Sequence, residues 1–428
     1  MKTYRYAQGV AAMLVLLLLI SCFVYTVTTD LQLRDGVRES LARSMAPGAM
    51  GTAVQDVTAT VEKAFENSVS LKEAFAYLQR VMGKREIKDF QYVKADSGQL
   101  LFGSFYDPVP SWYLDLAMEI RKLSDYAAIY GAQTLFINVP DIFVRGETTI
   151  PEGIPAYDRN AHQDALLYHL QSLGVDTLDM RTALLDTSLS PDRYIYKTDY
   201  RWTNEAAFEA FVCLVDILNT RYNAQLDPEG IYCDKDQYEI TTYASAMLGS
   251  LGRSVGLPYS GTEDLTVILP TFETRFVYEQ TGQWLGRETG TQTQIGNNTY
   301  ATKRISGSFA DTLFNSEHVS AKTPYTGNSE SVYLNDLAGN SLIQNELMPE
   351  GKRVLFLCDS YALPLAAFLA STVGEVRIVR INAPIVMDRN LDVKSLIRDG
   401  QFDYVLVEQF PGNFDLEVFQ VIMAGETE

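Results

Sequence analysis

The stretch Val354-Leu-Phe-Leu-Cys-Asp-Ser-Tyr-Ala362 predicts a buried strand that ends just before Ser360. A helical pattern follows it, and Pro364 suits the first turn of a helix. Similar apolar strands separated by helices predict an α/β fold with a mostly parallel sheet covered on both faces. Ser360 is therefore expected at the carboxyl edge of this sheet, where open α/β sheets bind ligands.

The regular alternation of helix and strand covers two parts of the chain. Strands are predicted at 134–139, 175–179, 353–358, 375–379 and 404–408, and helices at 111–130 and 160–173. Between these parts, residues 255–330 are rich in Thr, Gly, Tyr and Ser and predict a β-rich insertion of short antiparallel strands.

Two interpretations of Ser360 are open at this point. A serine between a strand and a helix is often only the N-cap of the helix. The same position also suits a nucleophile, because nearby helix N–H groups stabilise an oxyanion.

A second segment, Tyr196-Lys-Thr-Asp-Tyr-Arg-Trp-Thr203, precedes a predicted helix that Thr203 caps. Its simplest interpretation is a polar loop with Trp202 packed on the core. A serine nucleophile, however, needs a base that a carboxylate orients, and Asp199 offers such a carboxylate.

Several motifs, in order along the chain, together resemble the DHHW family of SGNH-hydrolase-like proteins, which are related to the alginate O-acetylation proteins. They are Gly98-Gln-Leu-Leu-Phe102, Thr198-Asp-Tyr-Arg-Trp-Thr203, Met247-Leu-Gly-Ser-Leu-Gly252, Gly339-Asn-Ser341 and Asp359-Ser-Tyr361. The resemblance implies a three-layer SGNH-like fold. It also implies transfer or removal of acetyl groups on an extracytoplasmic polysaccharide, with a membrane-bound acyltransferase as a possible partner.

The resemblance also implies roles for individual residues. Ser360 matches the nucleophile and Asp199 the acid, while Arg201 stands where the family has its histidine base. The residues implied in oxyanion support or substrate binding are Asn340, Gly339, Tyr200 and Trp202.

The altered base position divides the functional hypotheses. Arginine stays protonated in proteins, so Arg201 cannot take the serine proton. If the protein is an O-acetyltransferase or esterase, Asp199 must act directly or His318 must reach Ser360. Otherwise, an Arg201–Asp199 salt bridge preserves the pocket of a non-catalytic protein, which binds glycan or serves as an assembly subunit.

The composition of the chain limits which partners and cofactors are expected. The 428 residues are 46% hydrophobic and 21% charged, as in globular proteins, and the net charge of −19 disfavours nucleic acid. The three histidines lack metal-ligand spacing, so neither a metal nor another cofactor is expected. A disulfide between Cys213 and Cys233 is one alternative, but the apolar helix face around Cys213 favours a buried free thiol.

The first residues predict attachment to a membrane. Lys2 and Arg5 precede an apolar run, so residues 1–28 are expected to form a transmembrane anchor with the bulk of the chain outside the cytoplasm. The alternative is a lipoprotein attached through Cys22. A helical stalk (29–85) and an SGNH-like domain in two parts (86–254 and 331–428) complete the predicted organisation.

Overall fold

The computed structural model of the protein describes residues 69–283, 291–295, 298–319, 331–335 and 337–424. The anchor predicted at 1–28 and residues 29–68 of the predicted stalk lie outside this part of the chain. Within the described residues, no helix is both long and apolar enough to span a bilayer.

The chain forms two compact units. Among described residues, the smaller unit contains 69–84 and 255–260, and the larger contains 85–254 together with those from 261 onward. In the smaller unit the helix Val69–Val81 packs against the short helix Leu257–Ser260.

The described residues contain both helices and strands throughout. The helices are α1 (Val69–Val81), α2 (Tyr113–Ile129), α3 (Asn160–Ser172), α4 (Met180–Ala183), α5 (Asn204–Tyr222), α6 (Ser250–Val255), α7 (Leu257–Ser260), α8 (Phe309–Thr312), α9 (Ser316–Val319), α10 (Leu363–Leu369), α11 (Pro384–Met387), α12 (Val393–Gly400) and α13 (Leu416–Met423). The strands are β1 (Glu86–Ile87), β2 (Tyr92–Lys94), β3 (Leu100–Phe102), β4 (Gln133–Asn138), β5 (Asp176–Asp179), β6 (Tyr238–Met247), β7 (Glu263–Pro270), β8 (Phe276–Gly282), β9 (Thr291–Ile295), β10 (Asn298–Gly307), β11 (Asn340–Asn345), β12 (Arg353–Cys358), β13 (Glu375–Arg380) and β14 (Tyr404–Gln409).

A nine-stranded sheet dominates the larger unit, in the order β5-β4-β14-β12-β13-β11-β8-β10-β9. The first five strands of this order are parallel, and their bounds lie within one residue of the predicted strands. Their carboxyl ends therefore meet at one edge of the sheet. This half confirms the α/β prediction.

The other half of the sheet is antiparallel, so the sheet as a whole is mixed rather than mostly parallel. Strand β11 runs antiparallel to both β13 and β8, and β10 runs antiparallel to both β8 and β9. Three strands of the segment predicted as an insertion thus extend the main sheet, while β7 pairs with β6 in a separate ribbon.

Helices cover both faces of the parallel half. On one face, α2, α12 and α13 bury an apolar cluster together with alternate strand residues such as Leu355 and Val405. The intervening strand residues Phe356 and Leu406 are equally buried. A second cluster joins α5 to α10, where the Phe208 and Phe368 ring centroids lie 5.3 Å apart. The result is a helix–sheet–helix arrangement with the strands packed on both faces.

The cysteines follow the prediction of free thiols. Cys213 and Cys233 are unbridged, and Cys213 Sγ donates to the carbonyl of Ala183 at 3.8 Å. Burial raises the pKa of Cys213 to about 11, so the thiol stays protonated.

Candidate functional site

Ser360 lies directly beyond β12, in a 3₁₀ turn (Ser360–Ala362) that leads into α10. The cap of this turn is Asp359, not Ser360, because Asp359 Oδ1 accepts the Tyr361 N–H at 2.8 Å. Asp359 Oδ2 accepts the Phe410 N–H at 2.9 Å and Asn413 Nδ2 at 2.7 Å. The turn is thus tied to the loop after the neighbouring strand β14, which fixes the serine at the sheet edge.

Asp199 lies in the segment between α4 and α5, and Thr203 caps α5 as predicted by accepting the Ala206 N–H. The Asp199 carboxylate is fully buried. Its Oδ2 accepts the Ser250 N–H at 2.6 Å, and its Oδ1 accepts the Arg201 N–H at 3.0 Å. The Leu-Gly-Ser-Leu-Gly motif therefore supplies a backbone donor that orients this carboxylate.

Glu263 on β7 supports the same loop and was missed by the sequence analysis. Its carboxylate accepts the Lys197 N–H at 2.8 Å, and the Thr198 N–H and hydroxyl at 2.7 and 2.6 Å. Burial raises the pKa of Glu263, although these hydrogen bonds act in the opposite direction. No local pattern points to Glu263, which is more than sixty residues from the loop that it holds.

The Arg201 guanidinium joins the two candidate catalytic residues. Its Nη1 donates to Asp199 Oδ1 at 3.1 Å, while its Nη2 and Nε donate to Ser360 Oγ at 2.9 and 3.3 Å. Arg201 is 8% exposed and Ser360 7%. A catalytic imidazole bridges serine and carboxylate in a similar way. Here, however, the bridging group carries a fixed positive charge and accepts no proton.

Tyr200 lies beside this bridge. The Arg201 Cζ atom is 4.6 Å from the centre of the Tyr200 ring, and the Phe410 ring is 5.0 Å from it. Burial raises the pKa of Tyr200, and the Arg201 charge and a hydrogen bond with Ser360 oppose that change. The phenol therefore stays neutral and lies within hydrogen-bond reach of Ser360.

Trp202 is 1% exposed, and its ring centroid is 4.9 Å from that of Tyr361. This burial favours the interpretation of Trp202 as a core residue beneath the loop. Its predicted contact with substrate has no support in this geometry.

Asn340 and Gly339 are farther from the serine. Asn340 begins β11 and is paired in register with Val379 of β13, the strand next to β12. Two strand spacings, about 10 Å, therefore separate β11 from the strand that precedes Ser360. Asn340 Oδ1 accepts from Arg377 Nη1 at 3.3 Å. The structure brings Ser360, Asp199 and Arg201 together, but Asn340 is directed to a different partner.

The contacts of the histidines lie elsewhere. His162 Nδ1 is 2.9 Å from the Tyr113 hydroxyl, and its Nε2 is 2.7 Å from Asp107 Oδ2. His318 lies on the short helix α9, where its backbone N–H bonds to the carbonyl of Asn315. None of these contacts brings an imidazole to Ser360. Within the described residues, no cluster of three or more His, Cys, Asp or Glu side chains is arranged to hold a metal ion.

A second buried carboxyl group stands behind the serine turn. Glu408 on β14 is fully buried, and no side chain in the described part of the protein donates a hydrogen bond to its carboxyl group. Burial raises the pKa of Glu408 well above its usual value, and the nearby Asp359 charge adds to the effect. Burial thus favours the neutral form of Glu408 relative to an exposed glutamate.

Comparison with known proteins identifies the fold. No protein-family model matches the sequence, and no curated protein matches it. A DHHW family protein from Eubacterium siraeum superposes with a TM-score of 0.53 at 14% identity, over 77% of this chain and 94% of that one. The chain shares the fold of a DHHW family protein.

Two further structures have the same fold. PatB1 from Bacillus cereus superposes with a TM-score of 0.53 at 17% identity, over 76% of this chain and 98% of PatB1. PatB1 with a sulfonyl adduct gives a TM-score of 0.55 at 16% identity, over 77% and 96% of the two chains. The resemblance inferred from the motifs is thus confirmed at the level of the fold.

Proposed function

We propose that this chain is an extracytoplasmic SGNH-like protein that binds a cell-surface polysaccharide or exopolysaccharide in a retained acyl-transfer pocket, without esterase chemistry. One observation carries the proposal: the Arg201 guanidinium bridges Asp199 and Ser360 where a base is needed. The fold and the motif resemblance support the polysaccharide as ligand.

The bridge explains why the serine is inert. Attack by Ser360 requires transfer of its proton to a base as the new bond forms. Arg201 has no lone pair available for that proton, and two of its N–H groups donate to the Ser360 oxygen. Removing the histidine of a serine protease triad lowers kcat by about 10⁶, so the substitution removes most of the catalytic advantage.

The same bridge preserves the shape of the pocket. Asp199 neutralises the Arg201 charge, and backbone donors hold Asp199 in place. Without Arg201, the buried Asp199 carboxylate beside Ser360 would have no cationic partner. The arginine therefore stabilises this part of the pocket. The enzymatic alternative, O-acetyl transfer or de-esterification through Ser360, needs a proton acceptor that these contacts do not provide.

An assay with a chromogenic acetyl ester tests the proposal on the purified full chain. We expect hydrolysis at background level in the wild type and in Ser360→Ala. Arg201→His, which restores a base between serine and carboxylate, is expected to raise turnover about 10²-fold or more. The added Ser360→Ala substitution should abolish this gain.

The matched control is Arg193→His, which introduces the same side chain at an arginine that is 58% exposed. Its turnover should stay at background. An aryl sulfonyl fluoride gives a second readout, because it should label Ser360 in Arg201→His and leave the wild type unlabelled by mass spectrometry. Wild-type turnover that disappears in Ser360→Ala would overturn the proposal in favour of an enzyme.

A further inference from the structure

A cavity with both polar and apolar walls opens at the carboxyl ends of β4 and β5, along the same sheet edge as Ser360. Its volume is about 510 Å³, and its lining includes Phe143, Arg145, Asp164, Arg181 and Leu185. This volume lies within the range of roughly 300–1,000 Å³ typical of small-molecule sites. Open α/β sheets bind ligands at this edge, so both position and size suit a binding site.

A network of ion pairs forms the polar wall of the cavity. Asp164 accepts from Arg145 Nη2 at 2.9 Å and lies 2.7 Å from Arg181 Nη2. Arg181 also donates to Asp179 at 2.8 Å. Although burial opposes the effect, hydrogen bonds from Arg145 and Arg181 lower the pKa of Asp164. The carboxylates and guanidinium groups are thus charged and held in fixed positions.

The lining combines this network with apolar surfaces. Phe143, Leu185 and Pro191 form apolar parts of the cavity lining. Paired carboxylates and guanidinium groups present acceptors beside donors, which matches the hydroxyl groups of a sugar, since each hydroxyl both donates and accepts. The apolar surfaces match the C–H faces of a sugar ring.

The charge of the lining decides between classes of sugar. Four of the lining side chains are acidic and two are basic, and Arg159, outside the lining, pairs with the buried Asp141, so the acidic excess is one charge, from Glu147. The excess of acidic groups, within a chain of net charge −19, disfavours an anionic uronate. A neutral sugar experiences no such repulsion.

A short chain of contacts connects the cavity to the serine. The carbonyl of Pro140, in the cavity wall, accepts the Tyr361 hydroxyl at 3.0 Å, and Tyr361 is the residue after Ser360. The Tyr361 ring is stacked on Phe410, at 5.7 Å between centroids, and Phe410 also contacts Tyr200. The cavity and the serine site therefore share a wall.

We propose that the cavity binds a neutral sugar unit of the polysaccharide, adjacent to the unit that faces Ser360 and Arg201. This inference rests on the proposed polysaccharide-binding function and adds the place and charge class of a second subsite.

Calorimetric titration of the full chain tests the inference, in a polyoxyethylene detergent that contains no sugar. The probes are an N-acetylglucosamine tetrasaccharide, which is neutral, and a glucuronate tetrasaccharide. We expect the neutral probe to bind at least about tenfold more tightly than the uronate.

Two variants locate the binding. Arg145 and Leu185 are about 60% exposed, so Arg145→Ala and Leu185→Trp are expected to fold normally. Loss of a charged donor and blockage of the mouth should each weaken neutral-sugar binding about tenfold or more. Arg398→Ala and Ile129→Trp, at exposed positions outside the cavity lining, are the matched controls and should bind as the wild type does.

The outcomes separate this inference from the proposed function. Neutral-sugar binding that survives both cavity variants would overturn the subsite but leave a glycan-binding protein. Tighter binding of the uronate, or no binding of the neutral probe, would also overturn the inference. Esterase activity of the wild type would overturn the non-catalytic assignment, and the cavity titration would still be interpretable.

Discussion

Asp199 and Asp359 are two buried carboxylates at the same sheet edge, and each accepts three hydrogen bonds. The donors to Asp359 are two backbone N–H groups and the Asn413 amide, all neutral. Asp199 accepts two backbone N–H groups and a guanidinium N–H from Arg201. The two carboxylates thus differ in the charge of their partners rather than in the number of hydrogen bonds.

This difference in partner charge corresponds to different roles of the two carboxylates. Asp359 fastens the serine turn to the next strand, a task that neutral donors perform. Asp199 accepts a hydrogen bond from the Arg201 guanidinium, which in turn donates to Ser360, as the acid of a triad would hold an imidazole. The environment of an orienting acid is therefore present, although the group that it orients cannot carry a proton away.

Replacement of each carboxylate by its amide should give the largest effects. Asp199→Asn leaves the buried Arg201 charge uncompensated and is expected to cost about 3–5 kcal/mol of unfolding free energy. Asp359→Asn replaces one of the two acceptor oxygens by an NH2 group that faces an N–H donor, and is expected to cost about 1–3 kcal/mol. Chemical denaturation of both variants, monitored by circular dichroism, measures the difference.

A double variant isolates the contribution of charge. Asp199→Asn combined with Arg201→Gln removes both members of the ion pair, so the combined cost should be smaller than the sum of the two single costs. Strict additivity would contradict the claim that Asp199 serves chiefly to compensate Arg201.

The parallel half of the sheet was predictable because its information is local. Each strand is a short apolar run between helical patterns, and the predicted strand bounds hold within one residue. The placement of Ser360 at the strand end follows from this pattern alone. The contact of Asp199 and Arg201 with Ser360 joins residues far apart in sequence. Only the order of the family motifs indicated that these residues lie together.

Other parts of the site depend on contacts that no local pattern encodes. Glu263 binds a loop far away in sequence, and Asn413 holds Asp359 from beyond the next strand. Three strands of the antiparallel half, β8, β9 and β10, fall in the segment predicted as an insertion, because weak alternation predicts strands without indicating their neighbours. Asn340 was placed near the serine by its motif, whereas its register puts it two strands away.

An intermediate effect is expected at Gly249, which lies against the Asp199 loop. A Cβ atom at Gly249 would be 2.4 Å from Asp199 Cβ and 2.5 Å from the Thr198 carbonyl oxygen. Because backbone atoms cannot move aside easily, Gly249→Ala is expected to cost about 1–3 kcal/mol of unfolding free energy. It should also displace Asp199 and thereby lower the esterase activity gained in Arg201→His.

Ser250→Ala is the control for this substitution. Ser250 holds Asp199 through its backbone N–H, which alanine retains, and its hydroxyl is buried without a partner. Its unfolding free energy should therefore change by less than about 0.5 kcal/mol. A large loss in Ser250→Ala would show that the side chain contributes to the site.

The last effect is spread over pH and concerns the stability contributed by Glu408, behind the Asp359 turn. Its pKa is raised in the folded protein, so the folded chain retains a proton that the unfolded chain releases above about pH 4.3. The stability contributed by the neutral carboxyl is fully present below that pH and is lost as pH rises through the raised pKa. In this window the slope is at most about 1.4 kcal/mol per pH unit.

Glu408→Gln should remove this slope, because an amide does not ionise, whereas Glu350→Gln at an exposed position should retain it. Denaturation midpoints between pH 4 and 8 measure the slope in both variants.

Asp359 should be the source of part of the rise in the pKa of Glu408, since its charge opposes ionisation of Glu408. Asp359→Asn is therefore expected to make the slope begin to flatten at a lower pH. An unchanged slope in Glu408→Gln would assign the pH dependence to another buried carboxyl, and Glu263 would be the first to replace, because burial raises its pKa as well.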